Sequence, residues 1–362
     1  MLSISKLFEI SGNENDSLAF LKNFQSLHSE KFALIYLPAD TLLDSFNFLI
    51  FELELLLSLN LFPIILIKKD VKDYVEVFLQ KQNSFSFIEF SETVNEKISL
   101  AIQAKHIPFI YLENDLNLFS DSSRILNAFE TRKLIYLDLN APFKNQFTNE
   151  KISMISLRNK FEESSLSTDH QKLFEMFKSI FELIKYEDFS FIYTSPFTLL
   201  KELFTIKGSG TYIKQGSNLI SKKSLTDIDK KKLDNLLSVS YNKTLRKDFT
   251  LDNFNFFIIE KNYKAAAIFI EKPFGNYLSK FAVDAIAKGE GVGRDIWDEM
   301  KMHYSKIFWR AKTNNPINKW YRNECDGFIK LSNWNLYWIG IESDSISLLK
   351  EFVMNLDEDF TE

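Results

Sequence analysis

Through the first two hundred residues, short apolar runs alternate with segments of helical period, and no other feature constrains the fold as strongly. The runs at 32–37, 62–67 and 107–112 are almost wholly apolar, as strands buried on both faces require, and 132–139 and 188–193 read as two further strands. Between them lie helix-period segments. Residues 16–27 place Leu18, Phe20, Leu21, Phe24 and Leu27 on one face, and 44–60 and 95–105 repeat the pattern. Strands and helices in this alternation predict a parallel sheet covered on both sides.

A polar stretch, 215–227, ends that pattern. Beyond it the sequence predicts a helix over 224–237, strands over 254–260, 263–271 and 277–285, a helix over 295–304 and strands over 306–312 and 334–342. Runs of adjacent strands of this kind form a mixed sheet. A chain of 362 residues exceeds one typical domain. The expected division is therefore a first domain at 1–216, a linker at 217–226 and a second domain at 227–362.

Composition excludes several functions. A net charge of -5 without a long basic stretch argues against nucleic-acid and membrane-surface partners. The single cysteine, Cys325, rules out an internal disulfide and a thiolate metal cluster, and the four scattered histidines lack metal-ligand spacing. No metal is expected. The apolar stretch 55–67 is far short of the roughly 20 residues of a membrane span. The N-terminal residues show neither a signal-type run nor an Arg-rich leader, which leads to a cytoplasmic expectation.

Three of only ten glycines fall in Lys288-Gly289-Glu290-Gly291-Val292-Gly293-Arg294, where an expected strand gives way to a helix. Glycines let a backbone approach phosphate closely, and a helix N-terminus presents unpaired N–H groups and a favourable dipole. Lys288 and Arg294 add positive charge. The loop fits a pyrophosphate cradle, although a helix entry alone would also explain it. The order Lys-x-x-Gly-x-Gly is not the dinucleotide-binding Gly-x-Gly-x-x-Gly. It resembles the GNAT acyltransferase superfamily.

Longer blocks narrow the resemblance. Residues 277–283 (Tyr-Leu-Ser-Lys-Phe-Ala-Val), 308–321 (Phe-Trp-Arg-Ala-Lys-Thr-Asn-Asn-Pro-Ile-Asn-Lys-Trp-Tyr) and 334–340 resemble the GNAT domain of vertebrate-type N-acetylglutamate synthases and bifunctional synthase-kinases. The resemblance implies acetyl-CoA as co-substrate and L-glutamate as acceptor. It also implies that Phe281, Ala282 and Val283 hold the pantetheine arm and polarise the thioester. Lys243, Arg310 and Lys312 would bind substrate carboxylates, with Lys312 standing where the family commonly has Arg. Asn315 and Tyr321 would lie at the reacting centre. These residue types suit the chemistry: an acceptor with two carboxylates needs fixed cations, and a departing thiolate needs an acid such as Tyr321. A covalent role for Cys325 is disfavoured because no histidine lies near it in sequence.

By the same resemblance the first domain is an amino-acid-kinase-type αβα sandwich. Residues 199–211, ending Lys-Gly-Ser-Gly-Thr, match its closing motif. Its phosphate-binding signatures are missing. Tyr36-Leu37-Pro38-Ala39 stands in place of Lys-x-Gly-Gly, and Ile67-Lys68-Lys69-Asp70 in place of His-Gly-Gly-Gly. Without those glycines and that lysine, phosphoryl transfer has no cradle, and Lys172 alone does not rebuild one. The domain is expected to be catalytically inactive, with assembly into a homo-oligomer and an arginine effector role implied by relatives. A GNAT enzyme for another amino acid or acyl donor, and a non-catalytic regulatory subunit, are the competing readings.

Overall fold

The computed structural model describes residues 2–12, 14–79, 82–113, 118–158, 161–186, 189–205, 208–284 and 291–361. The chain divides into two compact units, Met1–Gln215 and Gly216–Glu362.

The first unit holds helices α1 (Leu2–Ser11) and α2 (Glu14–Gln25), then β1 (Leu34–Leu37), α3 (Ala39–Ser58), β2 (Ile64–Lys68), α4 (Lys72–Leu79) and β3 (Phe85–Glu89). It continues with α5 (Val94–Gln103), β4 (Ile107–Leu112), α6 (Leu118–Phe129), β5 (Lys133–Leu137), β6 (Met154–Ser156), α7 (Thr168–Leu183), β7 (Ser190–Thr194), α8 (Leu199–Phe204) and β8 (Thr211–Lys214). The strand order is β3-β4-β2-β1-β5-β7-β8-β6. Every pair is parallel except β7 with β8. β1 and β4 are buried along their whole length, which their continuous apolar runs require. Helices α1, α2, α3 and α8 pack together as one group, and α6 packs with α7. The unit is an αβα sandwich. The expected wholly parallel sheet needs one correction: β8 runs antiparallel to β7.

Pro38 alone separates β1 from α3, and its carbonyl accepts the Leu42 N–H at 2.8 Å. There is no loop at this junction in which a phosphate could be cradled. After β2, Lys69 and Lys72 pair with Glu113 and Glu89 at 2.5 Å each. In the closing motif, the N–H groups of Ser209 and Gly210 both donate to the Glu202 carboxylate, the latter at 2.6 Å. Lys172 is exposed beside Asp169.

The second unit comprises β9 (Leu219–Lys222), α9 (Lys230–Tyr241), β10 (Phe256–Glu260), β11 (Ala265–Lys272), β12 (Gly275–Val283), α10 (Val292–His303), β13 (Ile307–Lys312), α11 (Asn318–Glu324), β14 (Gly327–Lys330), β15 (Trp334–Ile339) and α12 (Ile346–Met354). Its sheet runs β14-β15-β13-β12-β11-β10-β9. All neighbours are antiparallel except β12 with β13. The stretch read as a linker is structured: it carries β9, paired with β10. The helix expected at 224–237 is displaced to α9. Asp229 caps its start by accepting from Lys232 N at 3.1 Å, and Asn242 ends it in the left-handed conformation at φ 51°.

Candidate active site

β12 and β13 pair only at Asn276 with Ile307 and Tyr277 with Phe308. Beyond that point the parallel strands diverge and open a gap in the middle of the sheet. β12 is also bulged there: Phe269 faces Leu278 and Ile268 faces Lys280, so Ser279 is the extra residue. The bulge turns the following side chains over. Leu278 joins the core under α10, while Ala282 joins the core under α9.

The backbone of Phe281 and Val283 faces the gap. Phe281 N–H donates to the Tyr241 hydroxyl at 3.1 Å, and Val283 N–H to Ser240 Oγ at 3.0 Å. Both partners sit in the last turn of α9, so the corrected position of that helix brings them to the gap. Sequence reasoning missed both. Burial pushes the Tyr241 hydroxyl up to about 12.

Gly291 and Gly293, at the start of α10, lie against the end of β12. Gly291 has φ 72° at the start of α10, a left-handed conformation that favours glycine. A Cβ on Gly293 would lie 3.1 Å from Val283 Cγ2, so the helix approaches β12 as closely as glycine allows. Val292 is buried. Lys288, Gly289 and Glu290 lie outside the described residues. Arg294 is engaged by Asp298 at 3.1 Å and Glu324 at 2.6 Å, so its charge is already shared within the unit.

Tyr321, from α11, lies in an aromatic cluster with Trp297, Trp309 and Tyr337, at ring centroid distances of 5.8, 5.3 and 5.5 Å. Burial raises its pKa well above the ordinary tyrosine value, with the neighbouring Tyr241 and Tyr337 adding to the effect. Tyr321 is therefore a neutral hydroxyl at physiological pH. Tyr241 belongs to the α9 side of the sheet and Tyr321 to the α10 side. Asn315 has a local job: its Oδ1 accepts from Ile317 N at 3.1 Å and sets the turn into α11. Asn318, unnoticed in the sequence, is buried and donates to the carbonyls of Lys312 and Thr313 at 2.8 and 3.1 Å.

On the sheet face opposite α10 the structure gathers cations. Alternation along β13 puts Arg310 and Lys312 there with Phe308, away from the core residues Trp309 and Ala311. The bulge adds Lys280, which is 3% exposed. The sequence did not single out Lys280, which strict alternation without the bulge would place on the other face. Burial lowers the Lys280 pKa, and Asp359 opposes that shift. Arg310 donates to the carbonyls of Val353, Leu356 and Asp357 at 2.8, 3.0 and 2.7 Å. Lys312 pairs with Glu358, whose pKa is lowered by that contact and further by Lys243 and Arg310. Lys243 is exposed just after α9 and belongs to the same field. Among the described residues, no cluster of His, Cys, Asp or Glu is placed to hold a metal, and no helix is long and apolar enough to cross a membrane.

A mixed sheet that splays between two central parallel strands, with a bulge before the gap and a glycine-entered helix after it, is a GNAT fold. Residues 220–359 match the family described as N-acetyltransferase of N-acetylglutamate synthase. The mitochondrial N-acetylglutamate synthase of Danio rerio is 32% identical over 230 residues, 61% of this chain and 43% of that protein. An acetylglutamate kinase of Xanthomonas campestris is 31% identical over 269 residues, covering 68% of this chain and 62% of the relative. The N-acetylglutamate synthase of Neisseria gonorrhoeae, solved with coenzyme A and N-acetyl-glutamate, shares the fold at a TM-score of 0.51. Its identity is 11%, over 91% of this chain and 98% of that one. The chain is an N-acetylglutamate-synthase-like GNAT protein with an amino-acid-kinase-like N-terminal domain. It spans between two fifths and two thirds of the length of the zebrafish and Xanthomonas relatives. The zebrafish synthase is mitochondrial, which overturns the cytoplasmic expectation. That expectation rested on a missing leader pattern, which carries no weight in a chain spanning under half of that relative.

Proposed function

We propose that this protein transfers the acetyl group of acetyl-CoA to the α-amino group of L-glutamate. The observation that carries the proposal is the gap between β12 and β13, with amide donors on its edge and Lys280, Arg310 and Lys312 on one sheet face. The pyrophosphate is assigned to the loop around Gly291 and Gly293, and the thioester to the amides of Phe281 and Val283. Those amides now serve Tyr241 and Ser240, so the thioester takes over contacts the two hydroxyls already show to be available. Lys243, Lys280, Arg310 and Lys312 are assigned to the acceptor's two carboxylates. The neutral amine nitrogen attacks the thioester carbon, the Phe281 N–H stabilises the oxyanion, the C–S bond breaks as Tyr321 gives its proton to sulfur, and the proton shed by the new amide nitrogen restores the Tyr321 hydroxyl. A thiol of pKa about 8.5 asks little of that acid. Asn315 is assigned to holding the turn that presents Tyr321.

The first domain is assigned no phosphoryl transfer. Its β1–α3 junction leaves no phosphate loop, and its lysines after β2 are paired with glutamates. Thiol release from acetyl-CoA, measured against a panel of amino acids, tests the reading: glutamate should be the preferred acceptor. Preference for a monocarboxylic amino acid would overturn it. The same preparation given ATP and N-acetylglutamate should form no ADP above a blank, and added L-arginine tests the effector role implied by the resemblance.

A further inference from the structure

The cation face is already occupied by the chain's own C-terminal residues. Asn355 follows α12, and the segment after it runs Leu356-Asp357-Glu358-Asp359-Phe360-Thr361. Glu358 pairs with Lys312, and Asp359 with the buried Lys280. The Asp357 carbonyl takes the Arg310 guanidinium at 2.7 Å. The segment is held by an isolated β-bridge against the loop that carries Lys243. Arg246 N donates to the Asp359 carbonyl at 3.0 Å, Thr361 N to the Thr244 carbonyl at 2.9 Å, and Leu245 stands opposite Phe360. Phe360 packs on Tyr241 at a centroid distance of 4.6 Å.

Two neighbouring carboxylates therefore sit on cations assigned to the two carboxylates of the acceptor. We propose that residues 357–361 are an internal occupant of the acceptor pocket, a strap that the acceptor must displace. The inference rests on the acceptor assignment above. Lys280 supplies the physical reason for such a device. An ammonium buried this deeply needs an anion beside it whether or not substrate is present, since an unpaired buried charge is strongly destabilising. Asp359 fills that need in the free protein, and the incoming carboxylate fills it in the complex. The strap is suited to leave. Its Lys312–Glu358 pair is half exposed, so the pair is weak, and its backbone pairing joins two loops instead of extending the sheet. Occupation by the strap divides the apparent affinity for acceptor by the fraction of molecules in which the pocket is open.

The test compares glutamate kinetics in the full chain, in Glu358→Gln and in a chain ending at Leu356. Glu358→Gln leaves Lys280 paired, so it does not share the folding risk of the truncation. The truncation keeps the Arg310 contacts to Val353 and Leu356. A strap closed in nine molecules of ten predicts a glutamate KM lower by about 10-fold in the truncated chain and about threefold in Glu358→Gln. The acetyl-CoA KM should stay unchanged and kcat within about twofold. In the full chain, saturating glutamate should speed hydrogen exchange at the Arg246 and Thr361 amides. An active full chain whose variants show an equal or higher glutamate KM overturns the strap while leaving the acceptor assignment intact. No glutamate-dependent thiol release from any of the three overturns the acceptor assignment, and the strap with it.

Discussion

Replacing Arg310 with Ala should damage both stability and acceptor binding, and the structure allows each effect to be sized. Its guanidinium donates to three carbonyls at and beyond the C-terminus of α12 and lies 4.2 Å from the centre of the Trp334 ring. Those carbonyls have no helical partners, and a cation there also complements the helix dipole. A hydrogen bond from a charged group is worth about 1.5–3 kcal/mol, but carbonyls freed near the surface are rehydrated. The net cost is therefore about 2–4 kcal/mol rather than three times the single value. For a domain near 150 residues, at roughly 2–4 °C per kcal/mol, Tm should fall by roughly 4–16 °C. Loss of one charge-assisted carboxylate contact should raise the glutamate KM roughly 10- to 150-fold, with little change in kcat. Arg310→Lys should recover part of the KM but little of the Tm, because an ammonium lacks the planar fork that reaches three carbonyls. Thermal unfolding by circular dichroism and thiol release measured below both transitions separate the two effects. A Tm within about 1 °C of the parent refutes the capping argument. An unchanged glutamate KM moves the acceptor pocket elsewhere.

Tyr321→Phe keeps the aromatic cluster and removes only the hydroxyl, so kcat should fall by at most about 100-fold with both KM values nearly unchanged; full kcat with chemistry rate-limiting would remove its role as acid. Gly291→Val forces a β-branched residue to φ 72°, at a cost of at least about 1–2 kcal/mol, and should weaken coenzyme A binding by calorimetry in a folded protein; unchanged affinity would refute the cradle. Glu52, buried on α3, has its pKa raised to about 8 by desolvation, against a smaller lowering by a backbone hydrogen bond from Leu200. The folded state thus holds the proton more tightly than the unfolded state. The stability this contributes is complete below about 4.5 and is lost progressively as pH rises toward about 8. Glu52→Gln should leave Tm unchanged near pH 4.5 and raise it at pH 8, by roughly 2–4 kcal/mol of stability; equal shifts at both pH values would refute the buried-acid assignment.

Strands β1, β2, β4, β5 and β7 were legible because buried strands carry apolar runs, and residues 107–112 coincide with β4, whereas β3, with its partly exposed residues, was missed. The short strands β6, β8 and β14 were not legible. Each is only three or four residues long, too short to show a period, and is held in place by its neighbours. The displacement of α9 shows a similar limit. Its apolar residues, Leu233, Leu236 and Leu237, fit either register, and the cap at Asp229 and the left-handed Asn242 decide between them.

What the sequence by itself determined was the inventory: two α/β units, a glycine-entered helix, Arg310 and Lys312 on one strand face, and no glycine at 36–39 or 67–70. Those properties are local, set by periodicity and by what a single residue type permits. Only the tertiary structure decided which groups share the gap. The bulge at Ser279 brings Lys280 to the face of Arg310, and the splay of β12 from β13 exposes the Phe281 and Val283 amides. The last turn of α9 then covers those amides with Tyr241 and Ser240, and residues 357–361 return across more than a hundred positions to the loop at 243–246. Bulges, strand divergence and long-range pairing depend on how distant segments pack together, so none of them leaves a period in the sequence.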